Sequence, residues 1–376
     1  MFVRNKAWAA AAALSAALGV VSATAPQASA GTVTVPYQTG YQLAYNSGNG
    51  SVMGDLCVWP NSSGVLGGCN PSTLGAAIMP GTSPAITSLH GKGYEMAYQT
   101  SAGTLAVAGK QANGDLGLAM MPGTSPSITD LSDGGYEIAF QSNTGALWVT
   151  GTAGNTAPVG VAMDPTSSPS ITDAGNPGYE IAYQDASHNV EVAGGLGTEN
   201  LGQNMAPGTN PSIMVLGSGY EIAYAVPGGG LVATGSLGTT AAGVAWPGTS
   251  PDITYAPPTA NSPNGFYEIT YQSADGRLFG YGSLLAGPVI DPRSPNGIQL
   301  APGSSPTGAG IYQPIEGTAP AYEMFYEDPS GRLRYVIGSA FSSAYINPAQ
   351  WIGTITTGTS PAVATYQPEP PIQRHH

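Results

Sequence analysis

The stretch GTSPSITDLSDGGYEIAFQSNTGALWVTG, residues 123–151, joins two textures. A Gly-Thr-Ser-Pro turn opens it. A run that alternates residue by residue follows, and "SNTG" then reverses the chain before a second alternating run. Tyr136, Ile138 and Phe140 fall on one side of an extended strand, and Glu137, Ala139 and Gln141 on the other. Gly and Asn in the intervening turns accept the positive φ that hairpins require. Every local signal is therefore for β-structure.

The stretch recurs along the chain. Its Tyr-Glu half appears at Tyr94, Tyr136, Tyr179, Tyr220, Tyr267 and Tyr322, with a weaker first copy at Tyr41. The turn half also occurs seven times, ending at Pro84, Pro126, Pro169, Pro211, Pro251, Pro306 and Pro361. The two series are out of phase. The first Tyr copy has no turn before it, and the last turn has no Tyr copy after it. A linear stack has no reason to split a unit between its ends, whereas a closed ring does. Repeats of about 40–45 residues built from short strands are propeller blades. The expected fold is all-β: a single seven-bladed β-propeller of four-stranded antiparallel blades, its ring closed by pairing of the N- and C-terminal segments. For the blade that contains the opening stretch, the strands expected are 127–129, 136–141, 146–150 and, from the preceding segment, 116–120. Each blade carries one large aromatic face and one small face. Ala97, Ala139, Ala182 and Ala223 let the neighbouring blade approach closely.

The residues outside the repeats set the organisation. Arg4 and Lys6 precede an apolar, Ala-rich run from Ala7 to Val21, and Ala28, Ser29 and Ala30 form an A-x-A cleavage signal. Residues 1–30 thus read as a signal peptide, residues 31–367 as the propeller and residues 368–376 as a mobile tail. The protein is expected to be secreted and extracellular. Loss of Arg4 and Lys6 takes the formal charge from −13 to −15, which repels phosphate backbones and excludes nucleic acid as a partner. No later segment is apolar enough to insert in a membrane. In an exported chain, Cys57 and Cys69 read as a local disulfide.

The repeat resembles the blades of bacterial β-propeller lectins of the tachylectin-like and Photorhabdus-lectin-like kind, through Pro-Ser-Ile, Gly-Tyr-Glu-Ile-Ala-Phe and Gly-Ala-Leu-Trp. It is also similar to propeller repeats of secreted bacterial proteins that follow a degenerate trypsin-like domain, some of them lectin subunits of toxin particles. That resemblance implies carbohydrate binding between blades. This chain departs from the pattern at the Trp position, which holds Trp148 in one repeat and Met53, Ala106, Glu191, Val232, Phe279 and Arg334 in the others.

Aromatic faces are what sugars stack on, so Trp148, Trp351, Tyr345, Trp246 and Trp59 are the candidate ligand-binding residues. The repeated Glu95, Glu137, Glu180, Glu221, Glu268 and Glu323 read as scaffold. A buried carboxylate must be satisfied, and each is expected to accept backbone N–H groups from the next blade. Gln99, Gln141, Gln184 and Gln272 follow the same logic. Glycoside hydrolysis needs one carboxylate pair set apart from the rest, and nothing singles one out. His90 and His188 are the only histidines outside the tail, and no metal or cofactor motif is present. The expectation is a non-enzymatic glycan-binding protein without cofactor or metal. A protein-interaction scaffold within a secreted assembly is the alternative, and an extracellular glycosidase ranks behind both.

Overall fold

The computed structural model describes residues 40–58, 69–90, 93–154, 156–175, 178–256, 266–282, 286–288, 296–311, 321–339 and 342–366. The proposed signal peptide, the C-terminal tail and Trp59 lie outside these residues. The described residues form seven four-stranded antiparallel sheets and no helix.

Blade 1 begins with β1 (Gly40–Asn46), β2 (Ser51–Val58) and β3 (Cys69–Ala77). Blade 2 is β4 (Ala85–Ser88), β5 (Tyr94–Gln99), β6 (Thr104–Gly109) and β7 (Asn113–Ala119). Blade 3 is β8 (Ser127–Asp130), β9 (Tyr136–Gln141), β10 (Ala146–Gly151) and β11 (Ala157–Ala162). Blade 4 is β12 (Ser170–Gly175), β13 (Gly178–Gln184), β14 (Asn189–Gly194) and β15 (Gly197–Asn204). Blade 5 is β16 (Ser212–Leu216), β17 (Gly219–Ala225), β18 (Gly230–Gly235) and β19 (Thr240–Val244). Blade 6 is β20 (Asp252–Ala256), β21 (Phe266–Gln272), β22 (Leu278–Gly282) and β23 (Ala286–Pro288). Blade 7 is β24 (Thr307–Ile311), β25 (Ala321–Glu327), β26 (Arg332–Ser339) and β27 (Ser342–Thr354). The last strand, β28 (Ala362–Tyr366), returns to blade 1 and pairs with β1, from Gly40 opposite Tyr366 to Ala44 opposite Ala362. The phase offset in the sequence is this seam.

One strand placement differs from the sequence reading. Residues 116–120 do not complete blade 3. They belong to β7 and its end, paired with β6 in blade 2, and blade 3 takes β11 as its outer strand. Hydrogen bonding along the chain favours the hairpin that forms immediately after β6 over a jump across the turn.

The first strand of each blade, with β28 serving blade 1, touches its counterparts on both sides, so these strands ring the axis. Seven apolar clusters fill the seven interfaces between blades. Between blades 3 and 4, Tyr179, Ile181 and Tyr183 of the large face meet Ala139, Leu147 and Val149 of the small face. Blade 7 carries Phe325 where five other blades carry Ala, and that ring packs edge-on against Tyr41 at 5.0 Å. An aromatic pair thus stands between blade 7 and the blade that the chain's two ends complete.

The Gly-Thr-Ser-Pro turns do more than connect. The Ser83 N–H donates to Ser125 Oγ (2.9 Å), Ser125 to Ser168 (2.9 Å), Ser168 to Asn210 Oδ1 (2.7 Å), Asn210 to Ser250 (2.8 Å) and Ser250 to Ser305 (2.9 Å). The Ser360 N–H then donates to Ser83 Oγ at 2.8 Å. Turns about one repeat apart are thereby linked side chain to backbone around the axis. We call this end of the propeller the ring face and the opposite end the mouth face.

Candidate functional site

The repeated glutamates are buried, and their partners explain the repetition. Glu95 Oε2 accepts from Gln111 N at 2.8 Å, Glu180 Oε2 from Leu196 N at 2.7 Å and Glu221 Oε2 from Leu237 N at 3.2 Å. Ala153 holds the corresponding place beside Glu137, whose Oε2 is left without a hydrogen-bond partner. Each donor lies sixteen residues downstream, at the mouth-face corner of the same blade, and not in the next blade as the sequence suggested. A carboxylate on the second strand reaches past the end of the third strand because Gly109, Gly151, Gly194 and Gly235 stand opposite it. A Cβ on Gly151 would lie 2.5 Å from Glu137 Oε2. Burial raises these carboxyls, and Glu137 reaches about 7. Glu323 is fully buried with neither oxygen hydrogen-bonded, and burial lifts it well above the carboxylate range.

The link to the next blade is made by other residues. Gln99 Nε2 donates to Met121 O (3.0 Å), Gln141 to Asp164 O (3.1 Å) and Gln272 to Ala301 O (3.0 Å), each on the turn that leads into the following blade. On the mouth side, the tyrosines of blades 3, 4 and 5 face the preceding blade's glutamate. Burial raises the phenols of Tyr136, Tyr179 and Tyr220 first, and the facing Glu95, Glu137 and Glu180 add to it.

These contacts leave the grooves between blades as places where the repeat varies. The groove between blades 4 and 5 opens on the mouth face as a cavity of about 330 Å³ lined by Glu199, Leu201, Gly219, Tyr220, Thr234 and Ser236, with Gly235 completing it. That volume lies within the roughly 300–1,000 Å³ typical of small-molecule sites. Glu199 comes from the outer strand of blade 4, opposite Val192, and Tyr220 and Thr234 come from the large face of blade 5. The register of Glu199 is held in the other blades by Ser72, Gly114, Ala157, Thr240, Gly287 and Gln350. Only this blade places an acid there. The glycines keep the groove open, since a side chain at Gly219 would run into Ser236 Oγ.

The tryptophans chosen from sequence are placed differently. Trp148 is half-buried in the interface of blades 2 and 3, tilted against Phe140 at 6.4 Å and packed with that interface's core. Trp246 is half-buried in a ring-face turn, its ring about where a Cβ on Gly276 would meet it at 3.5 Å. Met79 and Met121 cover Gly103 and Gly145 from the equivalent positions, so Trp246 continues a scaffold contact. Trp351 and Tyr345 lie on β27, with side chains outside the described set. The sequence did not single out Glu199. Its strand, GTENLGQN, alternates too weakly for an acid there to stand out, and the signal was its negative charge at a register that the other blades fill with neutral residues.

A second cavity, of about 360 Å³, lies at the axis on the mouth face, between β28, β4 and β8. His90 Nε2 stands 3.0 Å from Asp130 Oδ2 there. Ser88 also lines it, but no hydrogen bond joins its hydroxyl to His90. The other described histidine, His188, pairs with Asp164 at 2.8 Å on the ring face. Among the described residues, no group of three or more His, Cys, Asp or Glu is arranged to hold a metal.

No family model and no curated protein matches the sequence. Solved structures do match in shape. AofleA from Arthrobotrys oligospora superposes with a TM-score of 0.51 at 14% identity, covering 75% of this chain and 89% of that one. A lectin from Aleuria aurantia, solved with Fucα1-6GlcNAc, gives 0.48 at 13% identity over 73% of this chain and 96% of that one. The likeness to AofleA, at 14% identity, is one of fold.

Proposed function

We propose that this propeller is a secreted, non-catalytic carbohydrate-binding protein, and that the groove between blades 4 and 5 is its principal site. The observation that carries the reading is the meeting of Tyr220 and Leu201 with Glu199 in one open groove. An aromatic ring with an aliphatic neighbour packs against the C–H face of a sugar. A carboxylate beside it accepts two hydroxyl hydrogen bonds, and charge-assisted bonds of this kind are the stronger ones. Ser236 and Thr234 offer hydroxyl oxygens, although both already bond within the blade. The resemblance of the repeats to lectin blades supports the same ligand class. Trp148 we assign to packing between blades.

A glycan array probed with the mature protein tests the proposal. Glu199→Gln should weaken binding about tenfold or more while leaving the melting temperature near that of the parent, and Tyr220→Ala should weaken binding as much but also lower the melting temperature, because its ring packs against the core between blades 4 and 5. Trp148→Ala should lower the melting temperature and spare binding. A folded protein that binds no glycan, yet co-purifies with a stable partner from culture supernatant, would replace this reading with the scaffold one. Export and the disulfide belong to the same proposal. Cys57 and Cys69 are direct register partners across β2 and β3. Mass spectrometry of the supernatant protein should find a chain starting at Gly31, with its mass two hydrogens lighter than the reduced form.

A further inference from the structure

The inner strands break the repeat at one register of the mouth face. Successive blades carry Thr365, Ser88, Asp130, Asp173, Val215, Tyr255 and Gly310 there. Scaffold positions in this ring recur from blade to blade, as the buried glutamates and the ring-face serines do. Six residue types at seven positions around one axial rim are not explained by scaffold. Over the arc of blades 1 to 3, this rim borders the 360 Å³ cavity lined by Ile86, Thr87, Ser88, His90, Asp130 and Thr365.

His90 supplies an independent observation. Its φ is 42°, in the left-handed region, where Gly175 at the end of β12 and Gly217 just after β16 hold the same place with φ of 72° and 64°. A non-glycine residue costs roughly 1–2 kcal/mol more there. Backbone strain of this kind collects at ligand sites. The carboxylate it meets is fixed in place. The Asp130 N–H donates to Thr87 Oγ1 at 3.0 Å, and the Thr87 hydroxyl donates to Asp130 Oδ1 at 3.3 Å. With His90 Nε2–H given to Oδ2, each carboxylate oxygen keeps a lone pair, and His90 Nδ1 remains an acceptor. The Ser88 and Thr365 hydroxyls complete a wall rich in acceptors above an apolar floor.

We propose that this axial mouth is a second small-molecule site, taking one neutral polyol of monosaccharide size whose adjacent hydroxyls donate to Asp130 and His90. An acidic ligand would meet Asp130 and Asp173 together, since the two carboxylates repel each other across the rim. The ligand class rests on the carbohydrate reading, but the place does not.

The histidines are the reporter. His188 has the same left-handed backbone, with φ 67°, and also faces an aspartate, through Nδ1 and not Nε2, but it lies on the ring face outside the cavity. Proton NMR of the imidazole C2–H signals of the full chain, titrated with methyl glycosides and linear polyols, should show a saturable shift of His90 and none of His188. His90→Asn, a residue that accepts positive φ, assigns the signal. Ser88→Phe, which fills the cavity, should abolish the shift, and Asp130→Asn should weaken it about tenfold. Tyr220→Ala should leave it intact. A His90 signal unmoved by every neutral polyol overturns the axial site, as does a shift that survives Ser88→Phe or one produced only by amines or acids. Groove binding that persists in that case keeps the carbohydrate reading, and loss of both removes it.

Discussion

At the ring face, blade after blade presents a threonine or serine followed by a serine or asparagine in the same turn, and most of these turns are bonded to the next in the same way. At the mouth face, the same seven blades present Ser88, Asp130, Asp173, Val215, Tyr255, Gly310 and Thr365 on the axis, and Glu199 in a single groove. The difference separates two demands on one repeat. Where a residue's partner is another copy of the repeat, every copy must keep it. Where no copy supplies a partner, the residue is free to differ. Symmetry therefore marks scaffold, and its local loss marks the surface that can meet a ligand.

The repeated side can be broken in graded steps. Removing residues 362–376 strips blade 1 of its inner strand and opens the seam. The expected result is loss of a single cooperative melting transition by calorimetry, because no blade is stable alone. The buried carboxylates come next. Glu137 titrates near 7 in the fold and near 4.5 when unfolded. The fold therefore holds the proton more tightly, and stability is greatest below pH 4.5. It falls as pH rises from 4.5 to 7 and stays low above that, for a total of about 3 kcal/mol. Glu137→Gln never ionises, so it should match the parent at pH 4 and exceed it by up to that amount at pH 8 in urea titrations. Gly151→Ala sets a Cβ against the Tyr136 carbonyl and Glu137 Oε2. It should cost about 2 kcal/mol, read as a lower denaturant midpoint. Ser125→Ala leaves the Ser83 N–H without its acceptor and should cost about 1 kcal/mol. A loss much larger than that would mean that the ring of turns acts as one unit.

The sequence carried most of the fold because its two periods are so plain. Alternation at Tyr136–Gln141 defines a strand, and the offset between the Tyr and Pro series defines the closure. The fourth strand of blade 3 was not legible, because the outer strands alternate weakly and carry glycine at Gly117, Gly160 and Gly202. The glutamates were legible as buried scaffold but not in their bonding. Their donors lie sixteen residues away, across a hairpin and a corner whose geometry no side-chain pattern records. Of the site, Tyr220 was visible as one repeat among seven. Glu199 was not, since an acid on a polar outer strand looks like any solvated residue until the neighbouring blade is placed beside it. The tryptophans drew attention by rarity. The structure gives Trp148 and Trp246 packing neighbours, which rarity alone could not foretell.

The seam has one more consequence. Gly40 faces Tyr366 across a single pair of strands, so the ring as a path has no privileged starting point. A short linker joining these ends, with the chain cut instead at the exposed turn of residues 217–218, would retain the inter-blade contacts and move the seam from blade 1 to blade 5. Order of synthesis would change while the set of native neighbours would not. Comparing the folding rates of two such permutants would measure how much the present chain owes to having blade 1 wait for its last strand.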